Sequence, residues 1–256
     1  MDETQQTETQ QTGAQQAGTQ RPAGGAGDAQ PLAASAQAAM AELARQRVEY
    51  DDVDLDLPAG TPHGIFTDWY EDAGRQLGEP NAMVVATDDD AGPAARIVLL
   101  KGYDPRGFVF YTNRLSAKGR QIAAHPRVAL VFPWHDMQRQ VRVRGIAVPV
   151  TDQESDDYFA VRPRGSQLGA AASDQSQPIR DRGDFDVRVR ELEDRFEGRD
   201  IERPDHWGGY RILPYEIEFW QGRRNRMHDR YLFTSRDGAS ASLDDADAWS
   251  TVRLQP

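Results

Sequence analysis

Arg96-Ile-Val-Leu-Leu-Lys-Gly-Tyr-Asp-Pro-Arg-Gly-Phe-Val-Phe-Tyr-Thr112 reads as two short strands joined by a tight turn. The apolar run that begins at Arg96 and ends at Tyr103 is one strand; Gly107 to Thr112 is the next. Between them Asp104-Pro-Arg-Gly107 has proline at the second turn position and glycine at the fourth. Upstream, Ala82 to Thr87 is apolar and β-branched, and Asp88-Asp-Asp-Ala-Gly92 is a polar turn. Downstream, Val128 to Trp134, Gln140 to Val150, Trp207 to Leu213, Glu216 to Gly222, Asp229 to Ser235 and Trp249 to Leu254 continue the strand pattern. These strands do not alternate with long helices, so a doubly wound parallel sheet is not expected. The pattern is mainly β with peripheral helices (α+β), an antiparallel barrel.

The helices show by period and by caps. Ile65, Phe66, Trp69, Tyr70, Ala73 and Leu77 give Gly64 to Leu77 one apolar stripe. Ser116 caps a short helix that Pro126 ends. Thr151-Asp-Gln-Glu154 has the capping-box pattern and opens a helix to about Arg162, before Pro163. Phe185 to about Glu197 is a charged helix with Phe185, Val189, Leu192 and Phe196 on one face. Ala33 to Arg47 is alanine-rich and helical, an arm, whereas Asp51 to Pro58 is acidic and irregular.

The chain has 256 residues, 38% of them hydrophobic, with a net charge of -11. Met1 to about Ala36 is rich in Gln, Thr, Ala and Gly without apolar period, so it is expected to be a disordered tail. Residues 37–256 are then expected to form a single domain. There is no cysteine, which excludes disulfides, thiolate metal sites and cysteine nucleophiles. The five histidines show no metal spacing, and no metal is expected. With neither a signal pattern nor a membrane-spanning run, the expected location is the cytoplasm. The acidic charge argues against nucleic-acid binding.

Against that charge, Arg223, Arg224, Arg226, His228 and Arg230 follow the alternating run Tyr215-Glu-Ile-Glu-Phe-Trp220. Guanidinium groups grip phosphate bidentately, so this strand end, beside an indole, reads as the wall of a site for a phosphorylated aromatic ligand. Arg96 and Lys101 point to opposite faces if their strand is regular, one for a ligand on each side, or they are ordinary strand ends. Tyr111-Thr-Asn113 followed by Ser116-Ala-Lys118 joins a strand end to a helix start, which suits an anion or is a simple cap. Gln140 sets a neutral amide among the arginines of Arg139-Gln-Val-Arg-Val-Arg144, a type that can bond a flavin edge, or a solvated face. Tyr158 and Arg162 share a helix face, Ser166 lies past the helix end, and the three make a phosphate cradle; Ser173-Asp-Gln175-Ser176 adds short polar groups. There is no G-x-x-x-x-G-K-[ST] loop, G-x-G-x-x-G or G-x-S-x-G.

Arg96 to Lys101, Tyr111-Thr-Asn113, Arg139-Gln-Val-Arg142, Tyr158-Phe with Arg162-Pro-Arg164, Ser166-Gln and Gly169, Gln175-Ser176, Trp207-Gly-Gly-Tyr-Arg211 and Glu218-Phe-Trp-Gln-Gly222 with Arg226, His228, Asp229 and Arg230 occur in one order. That ordered set, over about Arg47 to Pro256, resembles the pyridoxamine 5'-phosphate oxidase family. The resemblance implies an FMN-binding split β-barrel over residues 37–256, a homodimer with FMN at the subunit interface. It implies oxidation of pyridoxamine or pyridoxine 5'-phosphate to pyridoxal 5'-phosphate, with oxygen as acceptor and hydrogen peroxide as product. FMN contacts are then expected from Arg96, Ile97, Val98, Leu99, Leu100 and Lys101, from Tyr111, Thr112 and Lys118, and from Gln140, Gln175, Ser176, Trp220 and Arg230. Substrate contacts are expected from Lys101, Tyr158, Arg162, Ser166, Arg226 and His228, with Arg47 and Tyr50 from the arm; Arg226 and His228 would sit over the reacting carbon. Three departures bear on affinity more than on chemistry. Ala117 stands where an arginine usually precedes the lysine, Ala171 where a tryptophan is common, and Asp51 to Asp56 replaces the usual linker. The alternatives are a split-barrel flavin oxidoreductase with another substrate and a non-catalytic FMN or pyridoxal phosphate binding protein.

Overall fold

The computed structural model describes residues 34–46, 48–51, 55 and 60–256. The chain forms two compact units, residues 1–48 and 49–256. The first contains α1 (Ala34–Arg45), whose Arg45 meets Glu42 at 3.3 Å. The expected tail lies outside the described residues except for its last three positions, 34–36, which begin α1. Arg47 and most of the acidic segment also lie outside them.

The second unit is built on one antiparallel sheet. Its strands are β1 (Ala82–Asp89), β2 (Gly92–Leu99), β3 (Gly102–Asp104), β4 (Gly107–Asn113), β5 (Arg127–Trp134), β6 (Arg139–Pro149), β7 (Trp207–Gln221), β8 (Asp229–Ser235) and β9 (Trp249–Leu254). They run in the order β2-β1-β5-β6-β7-β4-β3, with β8 beside β7 and β9 beside β8. The fold is an antiparallel split barrel of α+β class. The helices are α2 (Pro62–Gln76), α3 (Ala117–Ala124), α4 (Asp152–Ala160), α5 (Arg164–Ala172) and α6 (Arg182–Arg195). Among the described residues, no helix is long and apolar enough to cross a membrane.

Helix α2 supplies part of the core. Its apolar stripe buries Ile65, Phe66, Trp69 and Ala73. Phe66, 1% exposed, meets Phe108, Phe132 and Tyr103 with ring centroids 4.8, 5.0 and 5.0 Å apart, all edge-on. Such rings combine large apolar burial with a favourable quadrupole arrangement. The helix begins two residues before the expected Gly64, because the Thr61 hydroxyl accepts the Gly64 N–H at 3.2 Å and Pro62 needs no partner in the first turn.

Two expected strand boundaries are corrected. The run Arg96 to Tyr103 is not one strand: it leaves β1 after Leu99. The Leu100 N–H donates to Asn81 O at 2.8 Å, and the Lys101 N–H donates to Val109 O of β4 at 2.8 Å. The same run therefore borders β1 at one end and β4 at the other, which draws the two ends of the strand path together. Conversely, Trp207 to Leu213 and Glu216 to Gly222 are one strand, β7. Pro214 lacks an N–H but lies opposite the register shift between Arg144 and Gly145, where the ladder is already interrupted. A Cβ on Gly145 would meet Leu213 O at 2.6 Å, so this crossing requires glycine. Strand β7 then forks: Trp207 to Ile212 pairs with β4, and Glu216 to Gln221 pairs with β8.

Helix α4 opens with both bonds of the expected capping box but stops at Ala160 rather than Arg162, because the residue before Pro163 is driven out of helical conformation. Helix α5 follows immediately and is not among the expected helices. It is short, and Gly165, Gly169 and a run of alanines give no apolar stripe to read. Helix α6 starts three residues before Phe185 because the Asp181 carboxylate caps the Asp184 N–H at 3.1 Å.

Candidate active site

A cavity of about 480 Å³ opens where β2, β4, α4, α5 and the start of β7 meet. Of the expected site residues it is lined by Ile97, Val98, Leu99, Lys101, Tyr111, Thr112, Lys118, Tyr158, Arg162, Ser166 and Gln175. These come from segments up to 78 positions apart, a distance that no local pattern encodes. The lining also includes Asn113 and Ser173, from the two polar runs expected near the site, and Gly169, Ala170, Phe185 and Trp207, to which sequence reasoning assigned no site role. Gly169 and Trp207 belong to the ordered motif set, the signal that points to them, whereas Phe185 shows only as part of a helix face.

Lys118 enters from the first turn of α3. Its Nζ donates to Gln175 Oε1 at 2.8 Å and to Thr112 Oγ1 at 3.1 Å. Burial, and next the charge of Arg96, lower its pKa to about 8. The Arg96 guanidinium donates to Thr87 Oγ1 at 2.5 Å, Gln121 Oε1 at 2.8 Å and the carbonyls of Val85 and Ala94 at 3.2 Å. All these acceptors are neutral. Two cations therefore stand together without a paired carboxylate among the described residues, which leaves a field suited to an anion.

Arg162 shows the same economy of partners. Its Nη1 is buried and unbonded, and its Cζ lies 4.7 Å from the Trp207 ring centroid and 5.6 Å from that of Phe159. Burial lowers its pKa, which is the cost of holding an unpaired charge there. The rings of Trp207, Tyr111 and Tyr158 lie nearly parallel. Tyr111 and Tyr158 stack at 4.2 Å and 21°, and Tyr111 and Trp207 at 5.4 Å and 8°. Arg211 anchors the root of α4 beside this wall, bonding Glu154 at 3.0 Å and Asp104 at 2.9 Å.

A second cluster forms on the outward face of β6, β7 and β8. Gln140 lies opposite Trp220, and Trp220 opposite Arg230. Glu218, 5% exposed, accepts from Nε and Nη2 of Arg230 at 2.8 and 3.2 Å and from Nη1 of Arg142 at 3.0 Å. The bond to Glu218 holds the Arg230 proton more tightly than usual. His228 lies 4.6 Å from the Trp220 ring, and its Nδ1 accepts the Arg223 N–H at 3.1 Å. Burial, then the charges of Arg226 and Arg230, lower its pKa. Arg226 is exposed and has a left-handed φ of 63°, directly after Asn225 at 55°. Side-chain-bearing residues adopt that conformation at a cost, and it is concentrated at functional turns. Tyr50 covers this cluster, 5.8 Å from His228 and 6.2 Å from Trp220. A groove of about 340 Å³ beside it is lined by Tyr50, Gln138, Gln140 and Trp220, among others.

The two clusters are separate. None of Gln140, Trp220, Arg226, His228 and Arg230 lines the larger cavity. The Leu100 side chain, 4% exposed, belongs to the core and leaves only its backbone for a ligand. The Arg96 guanidinium lies behind Lys118 rather than in the lining. Ser176, with a φ of 72°, borders an adjoining groove of about 300 Å³ that shares Ser173, Gln175 and Phe185 with the cavity.

Comparison with known proteins shows the family. The family model described as pyridoxamine 5'-phosphate oxidase matches residues 71–196. That described as pyridoxine 5'-phosphate oxidase C-terminal dimerisation region matches residues 207–256. A pyridoxine/pyridoxamine 5'-phosphate oxidase of Rubrobacter xylanophilus is 53% identical over 86% of this chain and 99% of its own. One of Burkholderia thailandensis is 49% identical over 85% of this chain and 100% of its own. Among solved structures, PhzG from Burkholderia lata, in complex with tetrahydrophenazine-1-carboxylic acid, superposes with a TM-score of 0.71 at 28% identity, covering 80% of this chain and 99% of that one. A pyridoxamine 5'-phosphate oxidase-related, FMN binding protein from Nostoc punctiforme shares the fold, with a TM-score of 0.60 at 17% identity over 78% of this chain and 100% of that one. Matched along nearly the whole of the second unit by the two halves of one family, and by full-length relatives at about half identity, the chain belongs to the pyridoxamine 5'-phosphate oxidase family of oxidoreductases.

Proposed function

We propose that this protein binds FMN and oxidises pyridoxamine 5'-phosphate or pyridoxine 5'-phosphate to pyridoxal 5'-phosphate in the cytoplasm. Oxygen is the final acceptor and hydrogen peroxide a product; the amine substrate also takes up water and releases ammonia. The observation that carries this reading is the cavity with cations that no carboxylate among the described residues pairs, Lys118 backed by Arg96 and, separately, Arg162. A site for two phosphate esters needs two such positions. In the family the residues around Lys118 serve the cofactor phosphate and those around Arg162 the substrate phosphate.

The residues fit FMN. The Lys118 amine, the Thr112 hydroxyl and the Gln175 amide converge within 3.3 Å of one another at the cavity wall. Bound FMN supplies a two-electron acceptor that oxygen reoxidises. The protein's own part is to hold and orient. Arg162, Tyr158, Ser166 and Lys101 grip the substrate phosphate, remote from the reacting carbon, and convert binding into alignment. Arg226 presses the substrate ring toward the flavin. His228 donates from Nε2 to the polar edge of the substrate, because its Nδ1 is already an acceptor.

Arg226 and His228 stand in the second cluster, so a full site requires a second copy of the chain, and the working form is a homodimer with FMN at the interface. Support comes from the match to a dimerisation region over residues 207–256, which contains that cluster. Ile97 on the cavity rim, 69% exposed in one chain, is an apolar surface that such a partner covers.

The test is direct. Purified protein loaded with FMN is yellow, is bleached by pyridoxamine 5'-phosphate without oxygen, and in air forms pyridoxal 5'-phosphate with peroxide. A colourless protein that ignores FMN overturns the reading. Bleaching by unphosphorylated amines as readily as by the phosphate ester points instead to a flavin oxidoreductase with another substrate.

A further inference from the structure

The two arginines at the heart of the two clusters are held in opposite ways. Arg230 is clamped by the Glu218 carboxylate, which neutralises it. Arg162 is held by aromatic faces, and among the described residues no carboxylate pairs with it. A ring face fixes a guanidinium through its quadrupole without cancelling its charge.

We propose that Trp207 is a positioning residue for substrate recognition: its indole face orients the Arg162 guanidinium toward the cavity and leaves the full charge free for the phosphate ester. This rests on the reading of Arg162 as the phosphate-binding arginine. Trp207 is 5% exposed and is fixed on three sides. Its backbone pairs with Asn113 of β4, and its carbonyl takes Arg203 Nη1 at 2.7 Å. Arg203 in turn binds Asp152 and Asp156 of α4, the helix that leads into Arg162. Tyr111 lies parallel to the indole at 5.4 Å, with room because Gly209 has no side chain; a Cβ there would come within 2.8 Å of the Tyr111 ring. The Trp-Gly-Gly sequence thus sets an indole beside a flat bed for the neighbouring phenol, and the guanidinium rests on the indole.

The experiment uses the FMN-loaded protein with Trp207→Leu, which keeps apolar bulk without a π face, and Trp207→Phe, which keeps a face. In Trp207→Leu the ratio of kcat/KM for pyridoxamine 5'-phosphate to that for pyridoxamine falls about tenfold, mostly through KM, while Trp207→Phe stays within about threefold. Arg162→Lys produces a similar loss, and Trp207→Leu adds little in that background, since both remove one contact. A ratio unchanged in Trp207→Leu, or full additivity of the two substitutions, assigns Trp207 to packing alone and overturns the proposal. Calorimetric titration with inorganic phosphate covers the remaining cases. If the wild type does not oxidise pyridoxamine 5'-phosphate, weaker phosphate binding in Trp207→Leu still upholds the positioning role, and unchanged binding rejects it. If Trp207→Leu does not fold, the comparison of Trp207→Phe with Arg162→Lys decides by the same titration: near-normal binding in the first and a clear loss in the second is required.

Discussion

The backbone N–H of Arg223 donates to Nδ1 of His228 at 3.1 Å, which places the proton of the neutral imidazole on Nε2. Protonation of Nδ1 would break this bond and add a cation near Arg226 and Arg230, so burial and then those two charges lower the His228 pKa below its ordinary 6.5. Protonation of His228 is therefore expected to lower the turnover of the FMN-loaded protein on the acid side of pH 6.5 and not above it. Arg226→Gln removes one repelling charge and raises the His228 pKa, and imidazole titration by NMR reads that shift directly. A shift in the opposite direction contradicts the assignment.

Arg226 acts on the substrate, whereas flavin retention depends on other groups. Arg226→Ala is expected to lower turnover on the order of 100-fold, the cost of a misaligned reactant, while the flavin content of the purified protein stays near that of the wild type. Equal losses in both measurements remove the role given to Arg226.

Lys118 gives FMN affinity a pH dependence. Its pKa in the folded protein is lowered to about 8, by burial and then by Arg96, so above that pH it has to take up a proton to meet a phosphate. Affinity measured by flavin fluorescence is expected to decline as pH rises from 8 toward 10 and to be flat over the same range in Lys118→Met, which binds at least about tenfold more weakly at pH 7. The folding linkage has the reverse sign. Between about 8 and the ordinary 10.5 the unfolded chain carries the extra proton, so the contribution of Lys118 to stability rises with pH in that window. Identical pH profiles for the wild type and Lys118→Met rule the assignment out.

Glu218 is buried between Arg230 and Arg142. Glu218→Gln leaves both guanidinium groups without their shared counter-charge. Its expected cost is about 2 kcal/mol, less than for fully buried pairs because both arginines reach solvent. Urea unfolding measures it, and flavin retention should fall with it because Arg230 loses its orientation. An unchanged unfolding midpoint shows that the clamp contributes nothing.

Several elements were legible because a local cause produces them. Thr151 and Glu154 make their reciprocal cap, Ser116 caps α3, and Asp229 to Ser235 forms β8 over the expected span. In β6 the alternation of Val141 and Val143 with Arg142 and Arg144 shows in the burial: the valines are buried and the two arginines exposed. Other features had no local cause. Pro214 reads as a strand break, and only the register shift at Gly145 on the neighbouring strand makes it harmless. Helix α5 has too few large apolar residues to show a period. Trp207 looks like any core aromatic until Arg162 is found on its face.

By itself, the sequence determined most of the strands, the caps, the antiparallel class and, through an ordered set of motifs, the family, because each depends on neighbours a few positions away or on residue identity in order. Only the tertiary structure decided which cations are neutralised and which stay free, and that one chain keeps Arg162 in one cluster and Arg226 in another. Those outcomes depend on which distant side chains share a low-dielectric space, and burial and charge pairing are properties of that space rather than of any stretch of chain.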